Sequence, residues 1–376
     1  MNNFPHVNRR HMLAGGAAAA AAVALTPGMA FAAEAYSARA RQLIDRSLVI
    51  DMLAVLRMDF APDVHARPMT PTEIADWRAS GINVLHNAIG IGGRDARTET
   101  LEFIAAWSGF VGRNAGLFSL IGTVADMDRA KAEKKIGVII GLQNSEHFRD
   151  ADDVKVFHRL GQRCSQLTYN SQNMLASGST ERVDGGVTDF GVSIIKAMNE
   201  VGMLVDVSHS GDRTTLDAIA ISEKPIAFTH SNCRALTNHP RTKTDEAIKA
   251  LAARGGVMGI TGVRNFVKAD EPTDISHMVN HIDHVVQLVG IDHVGIGSDA
   301  DLYGYDDMPA DQYKALKAGY KSSYAFRDKI DTDGYDHPRK NYNLVEELIR
   351  RKYSDADIQK VLGGNFRRLL TTVWGG

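Results

Sequence analysis

The chain has 376 residues, 44% of them hydrophobic and 23% charged, with 43 basic against 45 acidic side chains. That balance is ordinary for a soluble globular protein with a large core, and no basic face or aromatic–basic stripe points to nucleic acid. The only two cysteines, Cys164 and Cys233, exclude a four-thiolate zinc site within one chain and give no disulfide framework.

The N-terminus is a different material. Asn8-Arg9-Arg10-His11-Met12-Leu13 precedes an Ala/Gly/Val run from Ala14 to Leu25, and Ala30-Phe31-Ala32 follows Thr26-Pro27-Gly28. A charged start, a short apolar core and an Ala-x-Ala end make a secretory signal over residues 1–32. The paired arginines point to twin-arginine export, to the periplasm or beyond. The run is too short to span a bilayer, which argues against a membrane anchor. Cleavage after Ala32 removes two arginines and no acid, leaving 41 basic residues against 45 acidic ones. That route carries folded proteins, which fits a metal acquired before export.

From Tyr36 onward, apolar strand-like runs alternate with helical patterns. Strands are expected over 48–53, 82–88, 117–121, 136–142, 163–169, 203–208, 225–229, 257–261 and 293–298. Between them, Thr70-Pro71 opens a helix. Asp189 is placed to cap a helix over 190–201, and Gly202 to end it. A helix over 245–253 stops at Arg254-Gly255-Gly256, and Asp274 starts another with an apolar stripe from Ile275 to Val286. Stretch 300–340 has no strand and is rich in Tyr, Asp and Lys. It can form a lid over a site, an interaction surface or a loose insertion. Asn343-x-x-Glu346 resembles a capping box for a helix over 344–352; Ser354-x-x-Asp357 begins the next, ending at Gly363-Gly364.

Eight or nine strands alternating with helices in residues 33–376 predict an α/β fold of one domain, a (β/α)8 TIM barrel. One strand is then an extra, and pattern alone does not choose it. The C-terminal helices are expected to pack outside the barrel. A doubly wound sheet would need a Gly-rich turn after the first strand, and Asp51-Met52-Leu53-Ala54-Val55 is not one.

Barrel enzymes work at the carboxyl ends of their strands. There stand Gln143, Tyr169, Asn170, His209, His230, Arg241 (after His239-Pro240) and Asp299. His209 and His230 end consecutive β-α-β strands, close enough for both rings to meet one metal. A 2+ ion lowers the pKa of a water toward about 7. Asp299 is the candidate to take that water's proton, and Arg241 to grip a substrate carboxylate through two parallel bonds. Each also has an ordinary reading: strand-end histidines, a loop carboxylate, a surface ion pair and, for Tyr169, a packed rim residue.

At this point the chain, from about residue 46 to 372, resembles the renal (membrane) dipeptidase family of zinc peptidases. The resemblance rests on Gly202-Met203-Leu204-Val205-Asp206-Val207-Ser208-His209, Thr229-His230-Ser231-Asn232, His239-Pro240-Arg241 and Gly295-Ile296-Gly297-Ser298-Asp299-Ala300-Asp301. Asp184-x-x-Val187-Thr188-Asp189-Phe190-Gly191 and Gly363-Gly364-Asn365-Phe366 add to it. It implies a two-zinc barrel that cleaves dipeptides, with His209 and His230 on one zinc, Arg241 on the substrate carboxylate and Asp299 in proton transfer.

The departures from that pattern are equally specific. Leu53 and Val55 stand where a His-x-Asp pair supplies the other zinc, Gln143 where a glutamate bridges both, and Tyr169 where a histidine contacts substrate. Two cations without bridging anions repel, so the expectation is one divalent metal, zinc above others, on His209, His230, Gln143 and water. His86 and Asp51 are further nearby donors, each also readable as structural. The first reading is a metallohydrolase of dipeptides or related small amides. The alternatives are a barrel that binds small ligands or peptides without cleaving them, and altered chemistry in the same pocket. Barrels of this size often pair through outer helices, so a homodimer remains open.

Overall fold

A computed structural model describes residues 36–375 apart from residues 60 and 62. The expected export signal over 1–32 lies outside the described residues.

All nine expected strand runs form strands: β1 Ile50–Asp51, β2 Val84–Ile89, β3 Phe118–Leu120, β4 Ile136–Leu142, β5 Gln162–Gln166, β6 Leu204–Asp206, β7 Ala227–Ser231, β8 Val257–Ile260 and β9 Val294–Ile296. All pairings are parallel. β2 pairs with β1 and with β4, and β1 pairs with β9, so eight strands close on themselves. The extra is β3. It pairs only with the amino half of β4, Ile136 to Val138, and the carboxyl half of β4 passes to β5. The fold is a (β/α)8 barrel.

Register decides what fills the barrel. Ile50, Val84, Ile139, Cys164, Leu204, Ala227 and Val257 point inward near the amino ends and share one apolar cluster. Phe366, Leu369, Leu370 and Val373 join it from helix Asn365–Trp374, spaced as one helical stripe. This helix lies outside the ring and stops its amino-terminal mouth. Gly295 makes room for the plug, since a Cβ there would stand 2.6 Å from the Phe366 ring. The chain turns toward the mouth at Gly363, where a Cβ would stand 2.0 Å from the Leu48 carbonyl oxygen. The expected end of the last helix at Gly363-Gly364 is therefore a kink, with a further helix beyond it.

Higher in the barrel the inward positions turn polar: His86, Gln166, Asp206 and Thr229, all buried. Glycines let them crowd. A Cβ at Gly141 would meet His86 Nε2 at 1.9 Å, and one at Gly259 or Gly297 would meet the Thr229 carbonyl oxygen at 2.1 or 1.9 Å.

Two local expectations change. Thr188, not Asp189, caps helix Asp189–Val201, its side chain accepting from the Gly191 N–H. Gly202 then ends that helix in the left-handed region (φ 75°), as its composition requires. Helix Lys340–Arg350 begins before the proposed Asn343 box, because Asn343 Nδ2 donates to the Gly334 carbonyl instead.

Candidate functional site

β6 ends at Asp206, and His209 stands three residues on, in a loop held by long cations. Arg241 Nη1 donates to the Ser208 carbonyl (2.6 Å); Lys243 Nζ donates to the Val207 and Ser210 carbonyls (2.7 and 2.9 Å) and to Thr215 Oγ1 (2.9 Å). Burial first, and then the Arg241 cation, pull the Lys243 ammonium down to about 7.

His230 lies inside β7 rather than after it. On a regular strand Thr229 and His230 would face opposite sides. The β7–β8 register shifts between Phe228 and Ser231, and this irregularity lets Thr229 face the barrel while His230 leans over it. The close pass over Gly297 has the same consequence: its missing Cβ would lie 3.1 Å from the His230 Cβ.

The two imidazoles meet. His209 Nε2 and His230 Nε2 are 2.9 Å apart, with ring planes at 56°. Their other nitrogens are occupied: His209 Nδ1 meets Asn170 Oδ1 at 2.8 Å, and His230 Nδ1 meets Thr229 Oγ1 at 2.9 Å. Burial, reinforced by Arg241, holds both rings well below the usual imidazole range. They are neutral at pH 7, the form that binds metals.

Tyr169 stacks on His209 (centroids 4.1 Å, 21°), and its hydroxyl is 2.7 Å from that of Tyr320. Tyr320 belongs to the strandless stretch, which does lie over the barrel mouth. Tyr305, Tyr320, Tyr324 and Phe326 pack there with Phe266. The segment is clamped rather than loose. His239 Nε2 and Asn265 Nδ2 each contact the Tyr324 carbonyl at 2.8 Å. Arg264, itself buried, donates to the Ile330-flanking Asp331 carbonyl (2.6 Å) and pairs with Glu271 and Asp333.

Asp299 follows β9 in the left-handed region (φ 61°), its N–H donating to the Leu53 carbonyl at 2.8 Å. Asp tolerates that conformation better than most side chains. The carboxyl stays half-buried beneath the lid phenols. Desolvation pushes it up to about 7; Arg241 opposes the rise, and Asp51 and Asp206 add to it.

Arg241 is fully buried under the mouth with its guanidinium 5.3 Å from the Phe266 ring centre. Nη1 is satisfied by Ser208, whereas Nε and Nη2 make no hydrogen bond of good geometry among the described residues, and the Tyr324 phenol is the side chain that interacts with the guanidinium most directly. A buried cation with two orphaned donors is costly unless an anion meets them.

Gln143 does not join the imidazoles in the same way. Its amide nitrogen donates to the Ala88 carbonyl (2.9 Å), no hydrogen bond links it to either ring, and Oε1 is buried without a partner. His86 is tied to the Met52 carbonyl through Nδ1 (2.8 Å), with Nε2 unpartnered deeper in the barrel. Asp51 turns away, accepting from the Ser298 N–H at 2.8 Å. Among the described residues no group of three His, Cys, Asp or Glu side chains converges on one point. Sequence reasoning passed over Asn170, Thr229 and the lid phenols as partners of the pair; the only signal for the phenols was the Tyr-rich composition of 300–340.

The facing Nε2 atoms are a donor pair that a divalent cation would fit, and among the described residues no third His, Cys, Asp or Glu side chain joins them. Zinc–nitrogen bonds of about 2.1 Å at a tetrahedral angle put two ligand atoms about 3.4 Å apart, half an ångström wider than the observed 2.9 Å. A second 2+ ion about 4 Å away would add roughly 16 kcal/mol of repulsion at an effective dielectric near 20, with no bridging carboxylate to offset it.

A closed parallel barrel with paired imidazoles, a carboxyl and a guanidinium at its carboxyl-end mouth is the architecture of the metal-dependent barrel hydrolases. Within that class the chain belongs to the membrane dipeptidase family, peptidase family M19, whose sequence pattern matches residues 37–317. It is 33% identical over 242 residues to the dipeptidase VerJ of Clonostachys rogersoniana, a match over 64% of this chain and 56% of that protein. The aligned stretch thus spans little more than half of that relative. An amidohydrolase from Pseudomonas aeruginosa superposes with a TM-score of 0.78 at 30% identity, covering 90% of this chain and 99% of the other. A metallopeptidase from Rhodobacter sphaeroides, bound to a phosphinate mimic of the dipeptide L-Ala-D-Ala, shares the fold (TM-score 0.67, 17% identity, 86% and 99% covered).

Proposed function

We propose that this protein hydrolyses dipeptides or related small amides at a single divalent cation, zinc above others, held by His209 and His230. The carrying observation is the convergence of two neutral Nε2 atoms at 2.9 Å below a mouth that also holds Asp299 and the unsatisfied Arg241. Membership of a dipeptidase family supports the substrate class. The Rhodobacter metallopeptidase, with its dipeptide mimic, is consistent with it.

When bound, the cation supplies a polarised amide carbonyl and a water of lowered pKa. The chain's own residues do the rest. Arg241 offers Nε and Nη2 to the substrate's terminal carboxylate and so sets which end of the dipeptide enters first. Asp299 takes a proton from the attacking water as the carbonyl carbon–oxygen bond forms, and returns it to the amine nitrogen as the carbon–nitrogen bond breaks. Tyr169 covers His209 and, with Tyr320, keeps bulk water off the imidazoles. Gln143 Oε1 is the oxygen donor nearest in kind to a third ligand, and a neutral amide there binds a cation more weakly than a carboxylate.

A second reading, ligand binding without cleavage, is favoured by Leu53, Val55 and Gln143 standing at three expected ligand positions. Turnover separates the two. Purified protein supplied with zinc, manganese or cobalt should release amino acids from a dipeptide panel, and Asp299→Asn should lower kcat by at least about 100-fold while zinc affinity holds. Absence of turnover with every metal, beside chelator-indifferent thermal stabilisation by dipeptides, would sink the hydrolase reading and leave the binding one.

A further inference from the structure

Asp206 is assigned none of the catalytic or binding roles above, yet it is buried at 1% exposure at the end of β6, paired with β7 at Ala227. It acts only as an acceptor. Oδ1 takes the Ser208 N–H (2.9 Å), the Ser208 hydroxyl (2.6 Å) and the Thr229 N–H (3.1 Å), and Oδ2 takes the Thr229 hydroxyl (2.5 Å). The residue before each histidine is thereby tied to one carboxylate.

The hydrogens can be counted. A threonine hydroxyl has one hydrogen, and that of Thr229 is spent on Asp206. Thr229 Oγ1 can then meet His230 Nδ1 only as an acceptor, so Nδ1 carries the ring hydrogen and Nε2 a bare lone pair. The Ser208 hydroxyl, 3.3 Å from Thr229 Oγ1, does not alter the count, because its own hydrogen goes to Asp206 and it accepts the His230 N–H. On the other ring, Nδ1 of His209 faces the amide oxygen of Asn170, which accepts only. Both Nε2 atoms therefore present lone pairs to each other at 2.9 Å, with no hydrogen between them. Such a pair is repulsive alone and satisfied by a cation.

We propose that Asp206 is a positioning residue: acting through Thr229, it places the ring hydrogen of His230 on Nδ1, and so keeps the facing nitrogens of His209 and His230 open as a seat for one divalent cation. This rests on the reading of that pair as the cation site. The oriented ring nitrogen of a metal-binding histidine is generally set by the bond its other nitrogen makes. Here the setter is a hydroxyl whose only hydrogen has been claimed by a carboxylate.

The test is a two-bond 1H–15N correlation spectrum of histidine-labelled, metal-free protein, with the His230 signals assigned by loss in His230→Asn. The wild type should show His230 protonated at Nδ1. In Thr229→Val, where Nδ1 loses its acceptor, the hydrogen should move to Nε2 and bridge to His209; Thr229→Ser should restore the wild-type pattern. Zinc affinity by chelator competition should fall about 10–100-fold in Thr229→Val and return in Thr229→Ser. Asp206→Asn, if it folds, should mimic Thr229→Val, and the valine variant decides the matter if it does not. A wild-type His230 protonated at Nε2, or a tautomer unmoved by Thr229→Val, overturns the proposal whatever the enzyme hydrolyses. If the tautomer behaves as stated but the wild type neither binds zinc nor turns over dipeptides, the hydrogen placement stands and the hydrolase reading fails.

Discussion

Asp299 and Arg241 stand at the same barrel mouth and act on each other electrostatically. Desolvation holds the carboxyl near pH 7 as an acid–base group able to change state, and Arg241 keeps it from rising further. The sign of the pH effect follows. A base must be ionised to take a proton, and below about 7 the protonated form dominates. The log of kcat/KM should therefore rise with slope near one on the acid side of the carboxyl's midpoint, which a bound cation draws below its metal-free position near 7, and level above it, read from initial rates at fixed ionic strength. Asp299→Asn should abolish that limb. Arg241→Met removes the two orphaned donors together with the charge. It should lower kcat/KM about 10–100-fold for free dipeptides, the worth of hydrogen bonds to a charged group, and far less for C-terminally amidated ones. Equal losses on both substrate sets would take the carboxylate grip away from Arg241.

The elements explain why these residues meet. An apolar run identified β7 from composition, but the irregularity that swings His230 over the barrel depends on β8 pairing and on glycines at 259 and 297, contacts between chain segments far apart. Gln143 was expected to complete a ligand set with the two histidines. Its amide nitrogen is held by the Ala88 carbonyl, one strand away, a tie that residue type does not reveal, while its Oε1 has no partner among the described residues. The surplus strand was equally hidden: β3 reads like its neighbours, and only closure of β2 onto β4 leaves it out. Caps were readable to within a residue at Thr70 and Asp274, where the capping side chains are used as expected, and misread at Asn343, whose amide is needed by Gly334. The plug under the barrel carries its own prediction. Phe366→Ala should cost about 3–5 kcal/mol, measured by urea unfolding, while zinc affinity of the folded protein stays unchanged, because the cavity opens at the end opposite the site. A loss below about 1 kcal/mol would mean that the helix does not seal the mouth.

At the scale of the molecule, order of motifs mattered more than any one motif. The barrel, its polar upper layer and the mouth residues follow from strands met in sequence, whereas the proposal of a single metal rests on charges that are missing. No helix among the described residues is long and apolar enough to cross a membrane. Residues 1–32 are proposed to direct twin-arginine export; replacing Arg9 and Arg10 together by lysine should then leave precursor in the cytoplasm, whereas unchanged export would refute the assignment. The central claim, one cation seated by two imidazoles, is tested most directly by elemental analysis of the folded mature protein after zinc loading and gel filtration, beside the His209→Ala, His230→Ala double variant. One zinc per chain in the wild type and none retained by the double variant is the predicted result; two per chain, none in the wild type, or undiminished binding without the histidines would contradict it.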